Sequence, residues 1–344
     1  MKKRFTVFLF FIVSLSSQTF DKSSIQLPRR DLPDENLFIK EMNSRVINLE
    51  HKAVYQNNST DNIKTMFHHV TIPSLSEDYQ ILLSIETKNI DDSEIREHKN
   101  KIDSYLHLKF NLPARETKII TVVYTILIIP IDYSSIFPSA DTTDITESNK
   151  IYLKPSSTIE SDSKVFIELA KIFRLKSEND FELIKLLYEF PSKHLKFKVQ
   201  NKNIGALAAF NKKQGDCTEF ASLFIALCRA SGFPARYYSV FSMSDKIETE
   251  WKAPNHTIAE VYLNPLGWFP VDTNLSFGKY TNKHRLGVTP DNIIYMQREG
   301  AWTWGNYIPE KNFDKKKIDV KVSWRAKVIE TGSAKTLFLN FDIN

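Results

Sequence analysis

Residues Cys217 to Ala230 read as a helix that is apolar on nearly every face, with Phe220, Ala221, Leu223, Phe224, Ile225, Ala226 and Leu227 in sequence. A helix of that kind has no solvent face and has to be buried at the centre of a domain. Its start is well marked. Gly215-Asp216-Cys217-Thr218-Glu219 puts Asp216 at the N-cap and Glu219 three positions on, the pattern of a capping box. Gly232 and Pro234 supply the stop. Gly215 permits a tight turn and a close approach to whatever lies at the helix head. A cysteine is therefore held rigidly at the positive end of a buried helix. Unpaired N–H groups there stabilise a thiolate, the form in which cysteine is a nucleophile. Taken alone, the same cysteine is more often an inert thiol at a buried helix end.

Two later positions bear on that choice. His256 opens a predicted strand ending at Leu263, and Asp272 closes the next one after Trp268-Phe269-Pro270-Val271. A histidine can take a thiol proton and return it to a leaving amine, and an aspartate can fix the imidazole tautomer. The loop between the strands decides whether the two meet. With a four-residue loop, 264–267, strand alternation sends His256 and Asp272 to opposite faces. With a three-residue loop, 264–266, they share a face on the diagonal, about 7–8 Å apart at Cα. A Cys217–His256–Asp272 constellation requires the odd loop or a bulge.

The chain holds only two cysteines. Cys217 and Cys228 sit three helical turns apart, roughly 16 Å, whereas a disulfide needs Cα atoms within about 7 Å. Both are expected to stay as thiols. Met1 to Arg4 is basic and Phe5 to Leu15 is apolar, which reads as a secretory signal over 1–17, with export to the periplasm or the extracellular space. Removal of Lys2, Lys3 and Arg4 lowers the formal charge from +5 to +2, too small a bias to point to nucleic acid. Ile119 to Ile129 is very apolar but, at 11 residues, too short to cross a bilayer, so no stable membrane insertion is expected after signal removal.

A polar linker follows over 18–36. Residues 37–135 then alternate short runs rich in β-branched and aromatic residues with polar turns, as an antiparallel β-sandwich does. Helical spacing begins at Ser163–Phe173. A second helix is expected to be capped by Asp180 and ended by Pro191, and a third to cover Ile204–Phe210. The stretch 150–344 reads as one α+β domain, helices first and an antiparallel sheet after. The runs Ile318–Ala326 and Thr336–Phe341 are expected to close it as strands. His68-His69 lie next to each other on a strand and must face opposite ways, which argues against a shared metal ion. No clustered ligand set and no cofactor motif is present. Trp302, Trp304 and Tyr307 could form a binding shelf or a packing cluster. Asp245, Glu248 and Glu250 could be a solvated loop or a bias toward cationic substrates.

The blocks 215–236, His256-Thr-Ile-Ala-Glu-Val-Tyr-Leu263 and Gly267-Trp-Phe-Pro-Val-Asp272 together resemble the three signature segments of the transglutaminase-like superfamily. Tyr152-Leu153-Lys154-Pro155 and the helices after it resemble its bacterial branch. The resemblance covers roughly 150–280. It implies a transglutaminase-like (papain-like) core with a central helix packed on an antiparallel sheet. It also implies Cys217 as nucleophile, His256 as base and Asp272 as the histidine's partner, acting on amide bonds of a protein or peptide. Ile258 departs from the family, many of whose members have an aromatic residue there. No tryptophan precedes Trp251, so the upstream tryptophan that animal transglutaminases use to stabilise an oxyanion has no counterpart. The Cys217 N–H and Gln214 are the candidate donors in its place, and Trp251 could shield the thioester or line the acyl pocket, or equally cap the core. That departure favours water as acceptor, hence a protease or amidase. A transglutaminase, or a non-catalytic scaffold that keeps the fold, are the alternatives.

Overall fold

The computed structural model describes residues 24–25, 27, 31–39, 42–75, 77–133, 145–244, 248–264, 266–274, 286–299, 304–311 and 313–341. The expected signal segment 1–17, Asp245 and Trp302 lie outside them. In chain order the first part holds β1 (Ser24–Ile25), β2 (Ser44–Asn57), β3 (Ile63–Thr71), β4 (Gln80–Lys88), β5 (Asp92–Glu97), β6 (Ser104–Leu112), β7 (Thr117–Ile128) and β8 (Ile131–Asp132). Next come α1 (Lys164–Leu175), α2 (Asp180–His194), β9 (Lys196–Phe197), α3 (Ala206–Lys212), β10 (Gln214–Gly215), α4 (Cys217–Ala230), β11 (Ala235–Ser242) and β12 (Glu248–Trp251). β13 (His256–Leu263), β14 (Gly267–Val271), β15 (Val288–Thr289), β16 (Ile293–Arg298), β17 (Trp304–Pro309), β18 (Ile318–Gly332) and α5 (Ala334–Phe341) complete it.

Two antiparallel sheets form a sandwich, in the orders β1-β4-β7-β2-β18-β12 and β17-β3-β6-β5. Their inner faces enclose a core that includes Leu49, Tyr55, Leu106, Phe110, Tyr124 and Trp324, all fully buried. The sandwich is therefore built from both ends of the chain. The C-terminal strands expected to close the domain at 150–344 belong here instead. β18 alternates Val320, Val322 and Trp324 with Lys321, Ser323 and Arg325, and its 15 residues match the 14 of β2, with which it pairs along almost its whole length. A strand of that length and pattern finds its partner at the open side of β2. The expected strand at Thr336–Phe341 is a helix, α5, which buries Ala334 and Leu337. Its apolar residues satisfy a helical period as well as a strand would.

The second part sets α4 against the four-stranded sheet β14-β13-β11-β16. α4 buries residues 219 to 229 without interruption, enclosed by α1, α2 and α3 on one side and the sheet on the other. Two helix ends differ from the sequence reading. Asn179, not Asp180, caps α2, its side chain accepting the Glu182 N–H at 2.9 Å. Pro191 lies inside α2, which runs on to His194. Pro191 is buried in the last turn, where few hydrogen bonds remain to be lost.

The two parts meet across a third core cluster, in which Val46, Ile81 and Leu127 of the sandwich pack with Tyr238, Val240, Ile258 and Tyr295 of the smaller sheet. Charges cross the same junction. Arg298 of β16 is buried and donates to Asp103 of the sandwich at 2.7 Å and to Ser74 at 3.1 Å, and it also pairs with Glu77. Arg236 and Glu260, both buried, pair at 2.7 Å beside it. His68 and His69 do face opposite ways. His68 is buried against His51 at 2.8 Å, while half-buried His69 meets His107 at 2.7 Å on the other face. Among the described residues no group of histidine, cysteine and carboxylate side chains has metal-holding geometry.

Candidate active site

Cys217 is the first residue of α4, half-buried, with its head locked by the capping box expected from sequence. Asp216 Oδ1 accepts the Thr218 N–H at 3.1 Å, and Glu219 Oε2 accepts the Asp216 N–H at 2.9 Å. Glu219 is fully buried, and its other oxygen accepts the Ile204 N–H at 3.0 Å. One carboxylate thus ties the helix head to the loop before α3. A glycine at 215 is required by packing. A Cβ there would lie 2.3 Å from the Glu219 Cβ, well inside contact distance. The free Asp216 oxygen, Oδ2, accepts the Gln200 N–H at 2.9 Å, which fixes the segment after β9 against the helix head.

β13 and β14 form the hairpin on which His256 and Asp272 depend. Leu263 pairs with Gly267, so three residues lie between the strands, and the register runs on through Ala259 opposite Val271. Gly267 has φ of +85°, the left-handed conformation that closes a three-residue loop. The hairpin therefore has the odd loop that the constellation requires. His256 Nε2 and Asp272 Oδ2 are 3.0 Å apart, both side chains buried. The second Asp272 oxygen accepts the Asn274 N–H at 3.1 Å, which anchors the carboxylate. The Cys217 sulfur acts on the His256 ring, favouring its charged form.

The electrostatics of His256 follow from three opposing influences. Burial favours the neutral ring. The Asp272 carboxylate at hydrogen-bond distance, with the Cys217 sulfur behind it, favours the cation and prevails, raising the imidazole to about 10. Cys228, the other cysteine, is buried within α4, and burial pushes its thiol far up, so it stays protonated. Both cysteines are free, as helix geometry requires.

The remaining candidates fall into place differently. Gln214 lies on β10, half-buried, pairing with Lys196 of β9. Trp251 belongs to a sandwich sheet. It lies on β12, opposite Trp324 of β18, with its ring 4.8 Å from Phe241 and packed on the sandwich core. Glu248 and Glu250 lie on the same edge strand, and Glu248 pairs with Arg325 at 3.3 Å. Trp304 and Tyr307 pack on the sandwich core from β17, which answers the shelf-or-packing question in favour of packing for these two. Sequence reasoning missed Asn274, Gln200 and Ile204, whose contributions are backbone N–H groups that any residue type could supply.

Residues 167–273 match the family model of the transglutaminase-like superfamily, a span that contains Cys217, His256 and Asp272. The match covers about a third of the chain, from within α1 to just past β14. Among solved structures, a protein from Cytophaga hutchinsonii described as a candidate cysteine protease superposes with a TM-score of 0.53 at 18% identity, over 84% of this chain and 92% of the other. The periplasmic domain of TgpA from Pseudomonas aeruginosa aligns with a TM-score of 0.34 at 14% identity, over 67% of this chain and 91% of the other. No curated protein matches the chain.

Proposed function

We propose that the chain is an exported, cysteine-dependent acyl-transfer enzyme that hydrolyses amide bonds of proteins or peptides. The observation that carries this reading is the buried His256–Asp272 pair at 3.0 Å, with Cys217 at the head of α4 acting on the same ring. His256 Nδ1 takes the Cys217 proton, and Sγ attacks the amide carbonyl carbon. The developing oxyanion lies toward the start of α4, where the Cys217 N–H has no acceptor within the helix, with Gln214 as second donor. The C–N bond breaks as Nδ1 returns its proton to the leaving amine, which leaves a thioester. Water then adds, giving a proton to Nδ1, and the C–S bond breaks to release a carboxylic acid and the thiol. Asp272 holds the ring in the tautomer that both half-reactions need. Export is inferred from the basic and apolar start of the sequence.

The test is incubation of a proteome with wild type and with Cys217→Ala. New N-termini with wild type alone support hydrolysis. Mass gains on glutamine from an added amine support amine transfer instead. Neither change, with a correctly folded protein, overturns the proposal.

A further inference from the structure

The formal charge of the whole chain is +5, yet residues 190–215, which run into the nucleophile, hold six lysines and no acidic residue. Of these, Lys193 is engaged by Glu189 at 2.7 Å. Lys196, Lys198, Lys202, Lys212 and Lys213 are exposed and form no ion pair among the described residues. The acidic residues next in sequence, Asp216 and Glu219, accept backbone N–H groups rather than a lysine.

The backbone brings this charge to Cys217. β9 runs parallel to β10, with the Lys196 N–H on Lys213 O at 3.0 Å and the Lys198 N–H on Gly215 O at 2.8 Å. Lys198 is thus one hydrogen bond from the residue two before Cys217. β10 is the only strand paired with β9 among the described residues. Along the same run, Val199 is 74% exposed and Phe197 40%, so apolar side chains alternate with the lysines on an open extended segment. An extended chain lying along such a segment would meet apolar side chains and ammonium groups in turn.

We propose that β9 and the loop after it form a specificity surface for the acyl substrate, selecting segments that carry carboxylates, such as runs rich in aspartate and glutamate, beside the scissile amide. The proposal rests on Cys217 being the nucleophile. Charge complementarity identifies the occupant, because the five ammonium groups form no ion pair among the described residues. The lysines act as positioning residues, raising local substrate concentration and fixing its direction.

The test reads the field at Cys217 without turnover. The probes are iodoacetate, which is anionic, and iodoacetamide, which is neutral. The ratio of their alkylation rates at Cys217 is measured in wild type and in Lys196→Ser/Lys198→Ser/Lys202→Ser. Three charges at roughly 10 Å, in water at about 10 mM salt, should lower the ratio about fivefold, and by less than about twofold at 0.15 M. A control that removes three charges from the sandwich, Lys315→Ser/Lys316→Ser/Lys317→Ser, should leave it unchanged. In a second arm, peptides of equal length with acidic, neutral or basic flanks are compared by kcat/KM, with the acidic one preferred by wild type and the preference lost in the β9 variant. An unchanged ratio in that variant, or an equal drop in the control, overturns the proposal. The lysines would then serve only to keep an edge strand from pairing with other chains. If wild type turns over no peptide, the hydrolytic reading fails, while the alkylation ratio still decides this one.

Discussion

Replacing Asp272 with asparagine removes one charge and keeps the shape of the site. The carboxylate sits 3.0 Å from His256 Nε2 in a buried pair. At an effective dielectric of about 20, opposite charges at that distance interact by about 5.5 kcal/mol, which corresponds to about four pKa units. Burial then acts on the ring with only Cys217 to oppose it. The imidazole, now held up to about 10, should fall to roughly 6 in Asp272→Asn. The folded value in wild type lies above the unfolded value of 6.5. The pair therefore contributes its full stability below about pH 6.5 and loses it as pH rises through about 10. The assay is an NMR titration of the His256 ring in wild type and in Asp272→Asn, with thermal unfolding followed across the same range. The variant should titrate several units lower and its Tm should no longer decline through the alkaline window. A midpoint displaced by less than about one unit would refute the assignment of Asp272 as the dominant influence on the ring.

Other perturbations test the scaffold. Asp216→Ala removes the N-cap oxygen and should cost about 1 kcal/mol, lowering the midpoint of urea unfolding with no change in slope. Asp103→Ala strips a partner from buried Arg298 across the junction of the two parts, and should cost about 3–5 kcal/mol in the same assay. His51 and His68 are buried as neutral rings, their basicity lowered first by burial and then by each neighbouring histidine, His68 to about 3. Their folded values lie below the unfolded 6.5, so the stability they allow is complete above about pH 6.5 and is lost as pH falls toward 3. Unfolding free energy should fall at up to about 2.7 kcal/mol per pH unit from this pair, and His51→Leu should roughly halve that slope.

The helix at Cys217 was legible because its signals are local. Asp216 and Glu219 close a box within four residues, and an all-round apolar pattern admits only burial. The His256–Asp272 hairpin was legible because strand alternation leaves two registers, and Gly267 favours the one with three loop residues. The partnership of β18 with β2 was not, since it joins residues more than 250 positions apart and no local pattern names a partner strand. Trp251 stayed open between cleft and core for the same reason. Its position near His256 in sequence suggested the cleft, but β12 pairs with β18 and carries the ring to the sandwich core. α5 was missed because a short run of apolar residues fits two periods. The surface at β9 was visible only as lysines, until the pairing of Lys198 with Gly215 brought them to the helix head.

The central claim is that Cys217 reacts through His256. The most direct measurement is the rate of iodoacetamide alkylation at Cys217 across pH, in wild type and His256→Ala. Cys228 is buried and does not compete in the folded protein. The account predicts fast alkylation of wild type even in mild acid, where His256 is a cation, and loss of that acid reactivity in His256→Ala. Identical profiles for the two proteins, both rising only in alkali as a simple thiol does, would contradict it.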